Sequence, residues 1–446
     1  MRIRRCAAAA AGTLLLASLA GVEAGAARAE EGAPERPGRA PTIATYPVPT
    51  ADAGLDSLVV GPDGQLWFTE RKGWKLGRIT AAGAITEFPV PPMGGGSGPS
   101  DIVRGADGYL WFLTDSRFRL GRATTGGTVE RVAEAPLATI FSDLAAGRGR
   151  GVWLTQADGG QVHRLLDADT NPAQGWSLAT SYLSPTPMAV APDGALWYGD
   201  GAGYLKRLDE AGNQTNHPIS WGNSNIDSTS LAFGSDGALW ATGFAPGTPL
   251  STAEGGSVGR FDGTSLRAWP LPELATHVDP VPGSMTAGPD GALWWAEDGA
   301  IGRITTTGVI SRVRIAPHDP DDIAFGPDGR LWFLDTGANR VGAITVDANL
   351  FPARQVARKV KLRAVSGRRV KGRVVTAEPG CRAGKVVAYA KPRKGKARKI
   401  GAGRAKANGK FSVKLRKRPG GKVFVKVKAS APAADVRCLP AKSRAR

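Results

Sequence analysis

Carboxylates recur at two equivalent positions of a repeated pattern in this sequence of 446 residues. One group precedes short apolar runs, and the other group ends runs that begin with Leu-Trp. Hard cations such as Mg²⁺ and Ca²⁺ bind several oxygen ligands of this kind. If the two positions meet in the fold, they predict a Mg²⁺ or Ca²⁺ site, or a site for a cationic ligand, centred on Asp56, Asp321, Asp322 and Asp335. The other carboxylates of the two groups are Asp101, Asp143, Glu70, Asp115 and Glu297.

The alternative is that these carboxylates cap strands and turns, or pair with arginines of the repeat. Histidine is the other residue type that could act there, since an imidazole can serve as a general base near neutral pH. His318 lies three residues before Asp321, and both His318 and His277 fall in long loops between repeats, from which they could reach the same place. The sequence contains no Ser-His-Asp arrangement with supporting context, no phosphate-binding glycine loop and no zinc-ligand spacing.

The carboxylates are positioned by a pattern that occurs seven times: G-x-D-G-x-L-W, then x-G-R about ten residues later. The clearest copy is Gly61–Glu70, followed by Leu76–Thr80. A period near 43 residues with regular turn signals is typical of a four-stranded antiparallel blade. We therefore predict an all-β chain with a seven-bladed β-propeller over residues 42–350. The seven core tryptophans are Trp67, Trp111, Trp153, Trp197, Trp240, Trp294 and Trp332.

The order of strands in each blade also predicts where the carboxylates meet. Pro-Asp-Gly makes a tight turn after the inner strand, because Asp bonds back to the backbone and Gly takes a positive φ. The seventh copy ends near Val346 without an outer strand, whereas Thr42–Pro49 matches the outer strand Ile85–Val90 of the first blade. We predict that this N-terminal strand pairs into the last blade and closes the ring. Inner-strand starts and second-strand ends then share one mouth of the channel.

The first residues are predicted to be a secretory signal. Arg2, Arg4 and Arg5 precede an apolar run, and Ala27-Arg28-Ala29 offers small residues for cleavage after Ala29. We expect residues 1–29 to be removed, residues 30–41 to be a linker, and the protein to be secreted or associated with the cell envelope. The apolar run is too short for a spanning helix, and no later stretch approaches that length.

The charge divides the chain into two parts. Residues 351–446 carry 31 Lys and Arg against two acidic residues, a net charge of +29, whereas residues 30–350 carry −13. Alternating apolar and basic residues from Val360 onward predict a small immunoglobulin-like β-sandwich over 351–446, with Asn408-Gly409 as a hairpin turn. Cys381 and Cys438 are expected to form one disulfide.

The basic domain indicates a polyanionic partner. The candidates are anionic wall polymers, acidic polysaccharide, lipid headgroups and extracellular nucleic acid, and an anionic polymer of the cell envelope is the partner that we expect. Specific nucleic-acid binding is not supported, because the basic stretches lack the interleaved aromatics that stack on bases. The alternative is a solvated, lysine-rich spacer. We expect a monomer.

The phrase from Gly61 to Glu70, continued by a Gly-Arg-Ile-Thr segment and Ile85–Val90, resembles the virginiamycin B (streptogramin B) lyase family. The resemblance covers roughly residues 42–346. It implies a propeller and a magnesium-dependent elimination that linearises a cyclic depsipeptide. The two family histidines fall at Asp321 and Gly283, and the glutamate that precedes the first falls at Asp319. The glutamate that ends a second strand corresponds best to Asp335, and a first-blade aromatic falls at Asp56.

The resemblance and the residues lead to two hypotheses. The first is a noncatalytic exported propeller that binds a small molecule or peptide at its acidic mouth, because both family histidines are absent. Asp319, Asp321, Asp322, Asp335 and Asp56 are its predicted ligand or metal residues. The second is an enzyme, either a divergent Mg²⁺-dependent carbon–oxygen lyase or a lactone or ester hydrolase, in which Asp321, Asp335 and His318 would be catalytic.

Overall fold

The structure is a computed structural model. It describes residues 41–92, 96–114, 119–134, 141–147, 151–156, 161–165, 187–199, 204–218, 228–244, 256–271, 283–346, 350, 354–376, 379–392, 395–416, 418–419, 421–433 and 436–445. The predicted signal peptide, the linker before residue 41, Asp115 and His277 lie outside the described residues. Within these ranges, no helix is long and apolar enough to cross a membrane.

Residues 43–344 form seven antiparallel sheets, which we call blades 1 to 7 in chain order. Each blade has four strands in the described residues except blade 3, which has three.
The strands of blades 1 to 3 are β2 (Leu55–Val60), β3 (Leu66–Glu70), β4 (Lys75–Ile79), β5 (Ile85–Pro89), β6 (Ser100–Arg104), β7 (Leu110–Thr114), β8 (Arg119–Ala123), β9 (Val129–Glu134), β10 (Phe141–Ala146), β11 (Val152–Gln156) and β12 (Val162–Leu165).
The strands of blades 4 and 5 are β13 (Met188–Val190), β14 (Leu196–Gly199), β15 (Tyr204–Leu208), β16 (Gln214–Pro218), β17 (Ser228–Phe233), β18 (Leu239–Phe244), β19 (Gly256–Phe261) and β20 (Leu266–Pro270).
The strands of blades 6 and 7 are β21 (Met285–Ala287), β22 (Leu293–Glu297), β23 (Ala300–Ile304), β24 (Ile310–Arg314), β25 (Ile323–Phe325), β26 (Leu331–Asp335), β27 (Arg340–Ile344) and the N-terminal strand β1 (Ile43–Pro47).

The inner strands of the blades contact one another in a closed cycle. Each of β2, β6, β10, β13, β17, β21 and β25 contacts the next, and β25 contacts β2. Large apolar side chains fill the space between adjacent blades, as where Phe68 of blade 1 packs in one buried cluster with Trp332 and Leu334 of blade 7. The seven blades therefore form a ring, and the predicted propeller is confirmed.

The outermost strand of blade 7 comes from the N-terminus. Strand β1 pairs antiparallel with β27, with Ile43 opposite Ile344 and Pro47 opposite Arg340. The order of strands in this sheet is β1-β27-β26-β25. A short 3₁₀ turn, Thr336–Ala338, connects β26 to β27, and the side chain of Asn339 accepts a hydrogen bond from the Ala53 N–H at 2.9 Å.

The repeat is explained by one packing unit that recurs in the blades. In blade 1, the turn residue Asp63 accepts a hydrogen bond from Trp67 Nε1 at 3.0 Å, and the Arg78 guanidinium lies 3.7 Å from its other oxygen. Arg78 also lies over the Trp67 ring, 5.6 Å from its centroid. Gly64 has a φ of +73°, as the turn prediction requires. The Asp, Trp and Arg of the pattern therefore act together as structural residues.

Blade 7 keeps this unit although its Gly-Arg pair has become Gly342-Ala343. Arg330, from the turn itself, donates to Asp328 at 2.7 Å and lies 4.5 Å from the centroid of the Trp332 ring. The same Trp-to-Asp hydrogen bond recurs in blades 2, 5, 6 and 7, at Asp107, Asp236, Asp290 and Asp328.

Residues 354–442 form the second set of sheets. The strands are β28 (Arg354–Val356), β29 (Lys359–Ser366), β30 (Arg369–Val375), β31 (Gly384–Lys391), β32 (Arg398–Ala405), β33 (Lys410–Lys414), β34 (Lys422–Val427), β35 (Ser430–Ala433), β36 (Val436–Cys438) and β37 (Ala441–Lys442), with a 3₁₀ turn at Pro379–Arg382. The strand orders are β29-β30-β33, β32-β31-β34-β37 and β28-β36-β35. Alternate valines and other apolar side chains of the first two sheets share one buried cluster.

Two details of this domain bear on the sequence predictions. The expected disulfide between Cys381 and Cys438 is present, and both cysteines are fully buried. Asn408-Gly409 makes a tight turn, with φ of +79° at Gly409, but β33 pairs with β30 rather than with the preceding strand β32. The predicted turn is present, since the Lys406 N–H donates to the Lys410 carbonyl at 3.0 Å. Gly401 of β32 and Leu415, directly after β33, form one antiparallel bridge, but the chain changes sheets at the turn.

Candidate functional site

Inner-strand starts and second-strand ends lie at the same end of each blade, as predicted. In blade 7, the Asp321 N–H donates to the Leu334 carbonyl at 2.9 Å, and the Asp321 carboxylate accepts from the Thr336 N–H at 3.0 Å. In blade 6, the Gly283 N–H donates to the Ala296 carbonyl at 2.8 Å. We call this end of the ring the mouth.

Asp322 connects three blades at the mouth. Its carboxylate accepts from the Leu58 N–H of blade 1 at 2.7 Å, from the Ser284 hydroxyl of blade 6, and from the Ile323 N–H of blade 7 at 2.8 Å. Burial raises the pKa of Asp322, although the donors around it favour the charged form. Both carboxylate oxygens of Asp322, a predicted ligand residue, therefore accept hydrogen bonds from within the ring.

The residues at the position of Asp322 in two other blades also accept a hydrogen bond from the neighbouring blade. Asp143 accepts from the Met188 N–H of blade 4 at 3.1 Å, and the Ser230 hydroxyl accepts from the Met285 N–H of blade 6 at 3.1 Å. We call Asp143, Ser230 and Asp322 the inter-blade acceptors. Each one satisfies a backbone N–H of the next inner strand that would otherwise be left without a partner.

Replacing Asp322 with alanine is expected to lower the free energy of unfolding of the propeller by about 2 kcal/mol, because the Leu58 N–H and the Ser284 hydroxyl lose their acceptor. Urea unfolding followed by tryptophan fluorescence measures this, since all 12 tryptophans lie at or before Trp332. The exposed neighbour Asp321 supplies the control, and Asp321→Ala should change stability by about 0.5 kcal/mol or less. Equal effects of the two substitutions would contradict the assignment.

The carboxylates at the second-strand ends do not line the mouth. Glu70, Glu297 and Asp335 are at most 2% exposed. Each lies two residues after a buried aromatic, Phe68, Trp295 or Phe333, so that its side chain projects from the same face of the strand and enters the space between blades. The expectation that all these carboxylates cluster around the channel is therefore wrong for these three residues.

Asp335 is held by two basic side chains. Arg340 donates to Asp335 Oδ2 at 2.8 Å, and His318 Nδ1 lies 3.3 Å from the same oxygen. The His318 side chain is 16% exposed, and its ring packs against Phe333 with centroids 6.0 Å apart. The structure thus brings together two of the three predicted catalytic residues, His318 and Asp335, and it places Asp321 at the same end of blade 7.

Both carboxylate oxygens of Glu297 in blade 6 also accept hydrogen bonds. The donors are Arg312 and Trp295 Nε1, and burial raises the pKa of Glu297 while Arg312 opposes the rise. The Arg312 side chain is 5% exposed. This buried ion pair was not anticipated, because nothing in the sequence links Arg312 to the repeat.

Three carboxylates at the mouth of blades 6 and 7 remain close to solvent. Asp298 and Asp321 are exposed, and the half-buried Asp319 accepts from the Gly299 N–H at 3.3 Å. Burial raises the pKa of Asp319, and the negative charges of Asp298 and Asp321 raise it further. Asp56 holds in blade 1 the place that Asp321 holds in blade 7, and it is half-buried. This acidic mouth, Asp298, Asp319 and Asp321, is the candidate ligand site.

Gly283 borders the acidic mouth. A Cβ atom at Gly283 would lie 3.7 Å from the Asp321 carbonyl oxygen, so the two positions are neighbours across the boundary between blades 6 and 7. The lack of a side chain at Gly283 leaves room beside Asp321. Sequence reasoning identified both positions, but not that they are adjacent.

Comparison with known proteins decides the family. The family model described as the virginiamycin B lyase family matches residues 28–270 and 221–358, which is more than half of the chain. This chain belongs to the virginiamycin B lyase family. No curated protein matches its sequence. Residues 359–446, the larger part of the basic domain, lie beyond the family match.

Several solved structures are similar to this chain in fold. A streptogramin B lyase is 22% identical with a TM-score of 0.59, over 70% of this chain and 100% of that chain. Virginiamycin B lyase from Staphylococcus aureus is 23% identical with a TM-score of 0.58, over 69% and 100%. YCF48 bound to D1 peptide is 13% identical with a TM-score of 0.51, over 68% and 95%. At these identities the likeness shows the fold of the virginiamycin B lyase family.

The donor set at the mouth does not fit the magnesium ion that the family implies. Asp322 is surrounded by N–H and O–H donors, and Asp335 by Arg340 and His318, so neither presents oxygens to a cation. Among the described residues, no group of three or more His, Cys, Asp or Glu side chains could hold a metal ion. A Mg²⁺ or Ca²⁺ site centred on Asp56, Asp321, Asp322 and Asp335 is therefore not formed by the described residues.

Proposed function

We propose that this chain is an exported propeller of the virginiamycin B lyase family that binds a cationic small molecule or peptide at the acidic mouth without converting it. The observation that carries the proposal is the group of exposed Asp298 and Asp321 around the half-buried Asp319, whose pKa is raised first by burial and then by the repulsion of these two neighbours. A bound ammonium or guanidinium group relieves that repulsion and forms charge-assisted hydrogen bonds with the carboxylates.

The loss of catalysis is inferred from the same two neighbouring positions. Gly283 and Asp321 stand where the resemblance places the family histidines. A glycine has no side chain to transfer a proton, and a carboxylate is intrinsically a weaker base than an imidazole. YCF48 bound to D1 peptide supports the proposal only in that a propeller of similar fold carries a peptide.

Two cationic probes test the binding: quinupristin, which is named for a catalytically inactive virginiamycin B lyase structure, and a short lysine peptide. Calorimetric titration is expected to show binding of a cationic probe that weakens about tenfold or more in D319N/D321N, since a hydrogen bond to a charged group is worth about 1.5–3 kcal/mol. The control D209N/D262N removes two aspartates from turns at the opposite end of blades 4 and 5. Failure of both probes to bind, or equal weakening by the two double variants, would contradict the proposal.

Turnover is tested by incubating the protein with quinupristin and Mg²⁺ and following the antibiotic by chromatography with mass detection. We expect unchanged mass and retention. A product of unchanged mass but altered retention would mean elimination, and a product heavier by one water would mean hydrolysis. Either product would overturn the noncatalytic part of the proposal.

The pair His318–Asp335 favours a second candidate, a divergent carbon–oxygen lyase. Asp335 lies 3.3 Å from His318 Nδ1 and leaves Nε2 as the nitrogen available to a substrate. In an elimination, this nitrogen would take a proton from the carbon adjacent to the C–O carbon, the C–H electrons would form a C=C bond between the two carbons, and the C–O bond would break with release of the carboxylate. H318A would then abolish the product of unchanged mass, whereas R340A would retain part of the activity.

We also propose roles for β1 and for residues 351–446. We infer that β1 holds the ring closed, which the pairing of β1 with β27 supports. We also infer that residues 351–446 form an immunoglobulin-like sandwich that holds the exported protein to an anionic polymer of the cell envelope. The alternation of buried apolar and exposed basic residues in this domain supports both statements.

A further inference from the structure

One sheet of the C-terminal domain presents a predominantly cationic outer face. Along β29, β30 and β33 most apolar residues are buried and the intervening residues face outward. Of the twelve outward positions, eight are lysine or arginine, and the other four are Ala364, Ser366, Val375 and Ser412. The outward cations are Lys359, Lys361, Arg363, Arg369, Lys371, Arg373, Lys410 and Lys414. We call this surface the basic face.

The cations of the basic face stand opposite one another across the strands. Lys361 is paired in register with Arg373, and Arg373 with Lys410. Arg369 is opposite Lys414. Like charges that face each other across strands destabilise a sheet. Residues 351–446 contain only two acidic residues, Glu378 and Asp435, against 31 lysines and arginines. A bound polyanion removes this repulsion.

The spacing of the cations fits one class of polyanion. Side chains on one face of a strand repeat every second residue, which is about 6.6–6.8 Å. Three backbone bonds of an extended chain span about 3.3–3.6 Å, so a polymer with six bonds between phosphorus atoms repeats at about 7 Å. Poly(glycerol phosphate) has six such bonds. One extended phosphodiester chain can therefore place successive phosphates beside successive cations of a strand.

The composition of the basic face separates this polymer from other phosphodiester surfaces. The backbone of a nucleic acid has the same number of bonds per repeat, but the outward positions of β29, β30 and β33 carry no aromatic side chain to stack on bases. The aromatic residue of β33, Phe411, is buried. A membrane would be entered by a cluster of exposed apolar side chains, whereas the only large apolar side chain at the outward positions of these strands is Val375, and most of the other outward positions are basic.

The other sheet provides a contrast. On its outer side the Tyr389 and Phe424 rings stack with centroids 5.3 Å apart. Lys426 lies over Tyr389 at 5.6 Å and Lys442 over Phe424 at 4.5 Å. Two of its ammonium groups thus already interact with π-systems of the same domain. The cations of the basic face instead stand opposite one another across β29, β30 and β33, and this concentration of like charge favours the basic face as the site for an external anion.

We propose that the basic face of β29, β30 and β33 binds a linear poly(polyol phosphate) chain, with phosphates lying along the strands. The proposal rests on the proposed role of the C-terminal domain in holding the protein to the envelope. It adds which surface binds, and it names the chemical class of the partner as a phosphodiester polymer without bases.

The experiment uses the full chain and purified poly(glycerol phosphate), with binding measured at several salt concentrations. K361Q/K371Q/K414Q removes one exposed lysine from each strand of the basic face. The affinity of a cation–phosphate contact with a single strand falls with salt with a slope of about −0.7 per contact. Loss of three contacts should therefore weaken binding about 100-fold at 0.1 M salt and reduce the slope by about 2.

The matched control is K385Q/K399Q/K422Q, which removes one exposed lysine from each of β31, β32 and β34 of the other sheet. It has the same net charge as the first variant, and its affinity should fall less than about fivefold, the value of one contact. Equal losses in the two variants would overturn the assignment to the basic face. Tighter binding of oligo(dT), polyglutamate or phosphatidylglycerol vesicles than of poly(glycerol phosphate) would overturn the polymer class. If the unmodified protein binds none of these probes, the proposed envelope role itself fails.

Discussion

Replacing Cys381 and Cys438 with serine is expected to destabilise the C-terminal domain by about 4 kcal/mol. The disulfide closes a loop with a sequence separation of 57 residues, and the chain-entropy relation gives about 4 kcal/mol for a loop of that length. The domain has little to offset such a loss, since it has fewer than 100 residues and its cationic strands repel one another. Reduction of the unmodified protein should have the same effect.

The bond joins parts of the domain that are otherwise held by few hydrogen bonds. Cys381 lies in the 3₁₀ turn Pro379–Arg382, and Cys438 lies in β36, which pairs with the short strand β28. The buried Arg358 donates to the Leu439 carbonyl at 2.7 Å and to the Ser430 hydroxyl at 3.3 Å. Without the disulfide, Arg358 and these short strands must hold the segment alone.

Calorimetry of the full chain measures this prediction, because tryptophan fluorescence identifies which transition belongs to the propeller. No tryptophan lies after Trp332. The transition without a tryptophan signal should move to lower temperature in the double serine variant, and the tryptophan transition should stay in place. A double variant in which both transitions are unchanged would show that the disulfide contributes nothing to stability.

Replacing Glu70 with glutamine is expected to stabilise the propeller at pH 8 by up to about 3 kcal/mol and to have little effect near pH 5. Glu70 is fully buried, and neither of its carboxylate oxygens has a hydrogen-bond partner among the described residues. Burial, followed by the nearby negative charge of Glu87, raises the pKa of Glu70 to about 7, while the positive charge of Lys75 opposes the rise.

The sign of the pH dependence follows from this raised pKa. A carboxyl group that holds its proton more tightly in the folded state favours folding at low pH, and this contribution is lost between the ordinary pKa of 4.5 and about 7. A shift of this size corresponds to about 3 kcal/mol. Two neighbours titrate outside the window: the pKa of Glu87 is lowered, with its donors Lys75 and Thr50 outweighing its burial, and the pKa of Lys75 is raised by its hydrogen bond to Glu87.

Urea unfolding of the two proteins by tryptophan fluorescence at pH 5, 6, 7 and 8 tests this prediction. The free energy of unfolding of the unmodified propeller should fall relative to that of E70Q as the pH rises. Above the pKa of Glu70, the difference between the two proteins should stay constant. Measurement of E70Q at pH 5 serves as the control for packing, because Glu70 is then still neutral in the folded protein. A gap that does not change with pH would refute the raised pKa.

The repeat allowed most of the propeller to be predicted, because each blade is specified by local chemistry. Turn glycines such as Gly64 and the tryptophan after them recur in sequence and have the same role in each copy. The mouth was harder to predict. Asp322 and Asp321 are adjacent in sequence, yet one satisfies a neighbouring blade and the other faces solvent. That difference depends on the position of Leu58, which is 264 residues away.

The direction of a strand-end side chain was also not predicted, as for Glu70, Glu297 and Asp335. Their place at a strand end was clear, but the side chain on a β-strand projects to one of two faces, and the faces of a blade are both covered. Counting two residues from Phe68, Trp295 or Phe333 would have identified the buried face. The replacement of the blade arginine by Arg330 in blade 7 carried no such signal, because Arg330 belongs to the turn.

The pairing of β1 with β27 sets an order of assembly. Ile43 and Ile344 are about 300 residues apart in the chain, so blade 7 cannot be completed until the ribosome has made every other strand of the propeller. Until then β1 has no partner and the ring has an open gap. Contacts between segments so distant in sequence are slow to form, because the entropy of closing the intervening loop must be lost first. We therefore expect the last step of propeller folding to be the joining of its two ends, and a chain cut before Arg340 to leave β1 without its partner strand.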